Sequence, residues 1–114
     1  MSDTCLFCKI VSGDIPATIV ERTETTVAFR DIAPVSPTHI LVVPTSHVPN
    51  LAEAVTADPK IVSDVLAACA RIAAAESLDG GYRVVINTGP LAGQTVDHLH
   101  AHLLGGRPHT WPPG

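Results

Sequence analysis

The stretch DHLHAHLLGG, residues 97–106, constrains the fold more than any other part of the chain. Histidines at 98, 100 and 102 alternate with Leu99, Ala101 and Leu103. A period of two belongs to a strand, whose successive side chains point to opposite faces. The stretch is therefore expected to be the last strand of a sheet. Its three imidazoles would share one face, its apolar row would pack on a helix, and Gly105–Gly106 would stop it.

The rest of the chain supplies the other elements. Residues 5–12 read as a short helix with Leu6, Phe7, Ile10 and Val11 on one stripe. ATIVER (17–22) and TVAFRDI (26–32) read as strands joined by a polar turn near Thr23–Glu24, HILVVPT (39–45) as a buried strand, and YRVVIN (82–87) as another. Two prolines make DIAPVSPTH (31–39) a loop, and Pro44, His47 and Pro49 mark a second. The longest helix is expected from about Pro59 to Ser77, with Asp58 as N-cap and Pro59 in its first turn. Ile61, Val62, Val65, Leu66, Cys69, Ile72 and Ala73 would form its core face, and DGG (79–81) would end it. Short connections favour antiparallel pairing. The expected class is α+β: about five antiparallel strands with one long and one short helix against one face, in a single domain over residues 1–114.

Composition narrows the function. With a net charge of −4 and no run of Lys or Arg, the chain offers no phosphate-backbone stripe, so nucleic acid is excluded as a partner. The start MSDTCLFCKI is not a signal peptide, and the most apolar stretch, 65–75, contains Arg71 and is too short to span a bilayer. A soluble, cytoplasmic protein without membrane contact is expected. Three cysteines, an odd number, do not suit a secreted disulfide framework. Charged residues make up only 16% of the chain, against about 25% in an average domain. That fits either an alanine-rich sequence or a surface buried against another subunit.

Three histidines suggest a metal, but the spacing argues against one ion taking all three. At about 3.3 Å per residue, His98 and His102 lie about 13 Å apart along a strand, whereas nitrogens on one zinc lie within about 4 Å. One of them could join ligands from elsewhere. The alternative is a row of imidazoles facing a substrate. A neutral imidazole nitrogen can attack phosphorus and form a phosphoramidate that water then breaks. The preceding NTGPLAGQT (87–95) brings Gly89 and Gly93, whose backbone can approach a ligand, and the donors Gln94 and Thr95. It reads as a phosphate-binding nest or as an ordinary glycine loop.

GQTVDHLHAHLLGG closely resembles the His-x-His-x-His signature of the histidine triad (HIT) superfamily of nucleotide hydrolases and transferases. CLFCKI, DIAPVSPTHILVVPTSH and WPPG look like its Hint branch. The resemblance covers nearly the whole chain. It implies a homodimer that binds purine nucleoside monophosphates and cleaves AMP or GMP carrying an amine or acyl group on the α-phosphate. His100 matches the nucleophile, forming a nucleotidyl-histidine. His98 matches the residue whose carbonyl orients it, and His102 a phosphate contact. Asn87, Gln94 and Thr95, on the loop with Gly93, match phosphate and leaving-group contacts. Asp31 matches the ribose-binding carboxylate; Phe7, Phe29 and Ile32 match the purine wall. Trp111 matches a residue reaching toward the partner subunit's site. Thr95 stands where the family often has serine. Asp97 stands where a hydrophobic residue is common; it either faces solvent or, near the site, disfavours acidic leaving groups.

CLFC is a C-x-x-C pair open to zinc, redox and chance readings, although the βαβ setting of a thioredoxin-type site is absent. Some HIT proteins with this pair hold structural zinc, which implies Cys5, Cys8, His47 and His98 as ligands of Zn2+. Cys69 reads as core and His39 as structural. The resemblance points to a purine nucleoside phosphoramidate hydrolase. The alternatives are a dinucleoside polyphosphate hydrolase and a non-catalytic purine nucleotide-binding module.

Overall fold

Three α-helices and five strands follow in chain order among the described residues: α1 (Leu6–Ser12), β1 (Ile19–Arg22), β2 (Thr26–Arg30), β3 (Thr38–Pro44), α2 (Leu51–Ala57), α3 (Pro59–Ala75), β4 (Tyr82–Val85) and β5 (Ala101–Gly105), with a 3-10 turn at Pro90–Ala92 before β5. This computed structural model describes residues 4–114; residues 1–3, the start of the stretch read as leaderless, lie outside the described residues. The strands form one five-stranded sheet in the order β1-β2-β3-β5-β4, with every neighbouring pair antiparallel. The α+β class is as the sequence implies. No described helix is long and apolar enough to cross a membrane.

Local chemistry sets the helix ends. Asp58 accepts the Lys60 N–H at 3.0 Å and Pro59 opens α3. At α1, the Cys5 Sγ accepts the Cys8 N–H at 3.3 Å, and Gly13 closes the helix at φ +86, where a side chain would be strained. Helix α2 is not foreseen from the sequence. Asn50 caps it through the Glu53 N–H at 2.9 Å, but of its seven residues only Ala54 is buried, too few to register as a period.

Helices cover both faces of the sheet, which corrects the one-face expectation. Ala28, Ile40, Val42, Ala101 and Leu103 pack on Val65, Ala68, Cys69 and Ile72 of α3. Val27, Phe29, Leu41 and Val43 pack on Phe7, Cys8 and Ile10 of α1. Strands β2 and β3 are apolar on both parities, and such strands need cover on both sides. Leu66 also departs from expectation: it is 44% exposed, while Ala68 lies on the buried stripe of α3.

The last strand is shorter than the alternation suggests. It begins at Ala101, opposite Val42, so His98 and His100 lie in the segment leading into it. The continuing ladder would run toward Pro44, which has no N–H to give. The Leu99 N–H instead donates to the Val48 carbonyl at 2.7 Å.

Candidate active site and metal centre

The three histidines are divided between two sites rather than lined up in one row. His100 and His102 line an apolar cleft of about 300 Å³ between α1 and the sheet, together with Phe7, Phe29, Asp31, Ile32 and Thr95. The Phe7 ring stands edge-on to Phe29, with centroids 5.5 Å apart, and to His100 at 5.0 Å. His98 is wholly buried and belongs to a second cluster.

The ring orientations follow from the hydrogen bonds. His100 Nδ1–H donates to the His98 carbonyl at 2.8 Å, which leaves Nε2 with its lone pair. His102 is set by a chain that begins in the backbone. The Val35 N–H donates to His39 Nδ1 at 3.1 Å, so His39 carries its proton on Nε2. That proton is donated to His102 Nδ1 at 2.9 Å, with an Asp31 carboxylate oxygen 3.4 Å away. His102 is thereby the Nε2–H tautomer. Burial, and then the neighbouring His100 and His39, push its pKa down to about 4, so it is a neutral ring whose Nε2–H is its one donor. Burial lowers His39 as well, against the pull of Asp31. His39 sits in β3 on the same face as Leu41, which pairs with His102 across the ladder. Its part in the site is missed by the sequence reading; the available signal was its shared parity with Leu41 in HILVVPT.

Thr95 reaches the cleft, but the other loop residues do not line it. The N–H groups of Ala92, Gly93 and Gln94 are bonded to carbonyls within the loop, and that of Gly89 to the Gln94 side chain at 2.9 Å. These four donors are spent on the turn. The Gln94 amide also donates to Pro49 O at 2.7 Å and Val96 O at 3.1 Å, bracing the loop. Asn87 lies in a separate shallow cleft that includes His39 and His102. Trp111 is 82% exposed and away from the cleft of its own chain. Asp97 is exposed and borders a cleft that shares Thr95 and Val96 with the first.

Cys5, Cys8, His47 and His98 place their ligand atoms within 4.8 Å of one another. His98 Nδ1 lies 3.4 Å from Cys5 Sγ and 3.5 Å from Cys8 Sγ, and His47 Nδ1 lies 3.2 Å from both Cys8 Sγ and His98 Nδ1. Around a tetrahedral zinc, bond lengths of about 2.3 Å to sulfur and about 2.0–2.1 Å to nitrogen put neighbouring ligand atoms roughly 3.3–3.8 Å apart. These four distances lie at or just below that spacing, and the remaining two are within 4.8 Å. His98 Nε2–H donates to Pro44 O at 2.9 Å, which turns the unprotonated Nδ1 toward the cluster. The Asp31–His39–His102 group, by contrast, is joined by a direct hydrogen bond between its two rings.

Residues 12–109 match the HIT domain family. An uncharacterised HIT-like protein of Synechococcus elongatus is 51% identical over 114 residues, covering all of both chains. A 14 kDa zinc-binding protein of Zea mays is 46% identical, over 96% of this chain and 87% of its own length. The crystal structure of a HIT family hydrolase from Legionella pneumophila superposes with a TM-score of 0.93 at 46% identity, covering 97% of this chain and 100% of that one. The chain belongs to the HIT family.

Proposed function

We propose that the chain, acting as one HIT domain over residues 1–114, hydrolyses purine nucleoside 5′-phosphoramidates and acyl-nucleotides in the manner of the Hint branch. The observation that carries this reading is the His100 ring: its Nδ1–H is held by the His98 carbonyl, leaving Nε2 as a lone pair in a cleft-lining residue. Nε2 attacks the α-phosphorus, the phosphorus–nitrogen bond to the amine breaks, and the amine leaves with the electron pair and a proton from solvent. Water then cleaves the nucleotidyl-histidine to the nucleoside monophosphate and free His100. His102 Nε2–H steadies the phosphoryl oxygens, where a fixed donor is worth most in the transition state. Phe7, Phe29 and Ile32 take the purine, Asp31 the ribose, and Thr95 the phosphate end. Gly93 and Gln94 shape the loop that presents Thr95, and Asn87 stands beside His102.

Cys5, Cys8, His47 and His98 are assigned a structural Zn2+. The ligand spacing supports it, as does the name of the maize relative. Zinc would supply a cross-link between α1, the loop after β3 and the backbone that orients His100. A homodimer, in which Trp111 reaches the partner's cleft, and a cytoplasmic location complete the reading. The exposed Trp111 and the edge position of β4, with Tyr82 exposed, support the dimer.

The test is AMP release from adenosine 5′-phosphoramidate by wild type and His100→Asn. Turnover by wild type alone is expected. AMP binding without turnover by either would replace the hydrolase with a nucleotide-binding module, and preferential cleavage of diadenosine polyphosphates would move the chain to the dinucleoside polyphosphate branch.

A further inference from the structure

The Cys–His cluster is open to solvent on one side. The cleft that Asp97 borders, of about 370 Å³, is also lined by Cys5 and His47, whereas Cys8 and His98 do not line it. The two cysteines are therefore unequal: Cys5 stands at the cleft and Cys8, 4% exposed, stands behind it. Their sulfurs lie within 4.8 Å of each other, and the Cys5 Sγ accepts the Cys8 N–H at 3.3 Å. They thus share the first turn of α1, in the Cys-x-x-Cys spacing that redox disulfides use. All three cysteines are reduced. Cys69 is out of reach of the pair, because it packs on the α3 face of the sheet while Cys5 and Cys8 pack on the opposite face.

Resting on the zinc assignment, we propose that Cys5 and Cys8 are a peroxide-responsive pair, whose oxidation to an intrachain disulfide dismantles the metal site and unfastens α1. The Cys5 sulfur, the one at the cleft, attacks hydrogen peroxide. The O–O bond breaks, Cys5 becomes a sulfenic acid and hydroxide leaves. The Cys8 sulfur then attacks the Cys5 sulfur and displaces the second hydroxide, closing the disulfide. Two thiolates lose one electron each, and the peroxide takes both and ends, with two protons from solvent, as two waters. A disulfide offers zinc no thiolate, so two of the four donors are lost together. Helix α1 is then held to the sheet by its apolar face alone, through Phe7 and Ile10. The change reaches the candidate nucleophile along two routes. Phe7 stands edge-on to the His100 ring at 5.0 Å, and the His98 carbonyl that holds His100 belongs to a ligand of the cluster.

The experiment treats the zinc-loaded full chain with hydrogen peroxide and reads three signals that need no substrate. Zinc release is followed with a chromogenic chelator, the state of each cysteine by alkylation and peptide mapping, and the order of α1 by amide hydrogen exchange. Zinc should leave in step with a Cys5–Cys8 disulfide. Cys69, 1% exposed and away from the cleft, is the internal control and should oxidise at least roughly tenfold more slowly. Exchange across α1 should quicken at least roughly tenfold while α3 stays protected. Dithiothreitol with added zinc should restore the starting state. The proposal is overturned if Cys5 and Cys8 stay alkylatable with zinc retained, if zinc leaves with sulfinic or sulfonic acids in place of the disulfide, or if Cys69 oxidises as fast as the pair. Unchanged exchange across α1 beside a fully formed disulfide would overturn the unfastening. A chain that takes up no zinc at all fails the metal assignment itself, before any peroxide is added, and takes this proposal with it.

Discussion

His39 shows how a single side chain gains a role through its bonds. Its Nδ1 is engaged by a backbone N–H, so its remaining proton must point at His102, and His102 in turn must carry its own proton on Nε2. Replacing His39 with Phe removes the group that selects this tautomer. A fall in kcat of roughly tenfold is expected, with AMP affinity little changed, and nitrogen NMR of the His102 ring should show a mixed tautomer. Removing the nucleophile is more severe. His100→Asn should lose at least about 10³-fold in turnover while calorimetry still finds AMP bound. The pH response has a definite sign. His102 is held at about 4 in the folded protein, below its ordinary value of about 6.5. Between those values the unfolded chain binds more protons than the folded one, so stability is complete above about pH 6.5 and declines as pH falls toward 4. Melting temperature measured against pH should show that decline, and His102→Gln should flatten part of it. Cys69 is quiet by the same physics: burial raises its thiol to about 11, so the thiolate that reacts is scarce at neutral pH.

At the scale of elements, α1 is tied to the sheet by its apolar face and by the Cys–His cluster at its N-terminus. Its seven residues are too few to hold a helix by propensity. Cys5→Ser with Cys8→Ser should therefore lower the melting temperature far more than it lowers turnover at a temperature where the fold persists. Metal analysis should drop from one zinc per chain to none, and wild type should melt earlier with a strong chelator. A melting curve indifferent to both would remove the metal from the account. Helix α3 is different. Its cap, its leading proline and a seventeen-residue run with a regular apolar stripe are all local signals, so its position was legible in the sequence. The stripe's membership was less so, because Leu66 and Ala68 trade places according to which residues the sheet presents.

At the scale of the molecule, β4 is a sheet edge whose outer backbone pairs with nothing among the described strands, and Trp111 stands in solvent. Edge strands of this kind template pairing with a second chain. Sedimentation should give a dimer, and introducing a negative charge at Tyr82 (Tyr82→Glu) should shift it toward monomer. The sequence by itself determined the antiparallel α+β layout, the start of α3, the apolar walls of the cleft and the four residues of the Cys–His cluster. Each depends on residue type, on a period of two or 3.6, or on a family signature, all of which are carried along the chain. Helix α3 ends at Ala75, two residues before the expected Ser77. The resemblance already set His98 with Cys5, Cys8 and His47 and gave His100 another role; only the tertiary structure decided how the backbone carries out that division. Alternation put His98, His100 and His102 on one face, but Pro44 ends the ladder with β3, and the freed segment turns His98 into the cluster with Cys5 and Cys8. The bond from His39 to His102 joins residues 63 apart in sequence, and only the register of β3 against β5 brings them within 2.9 Å.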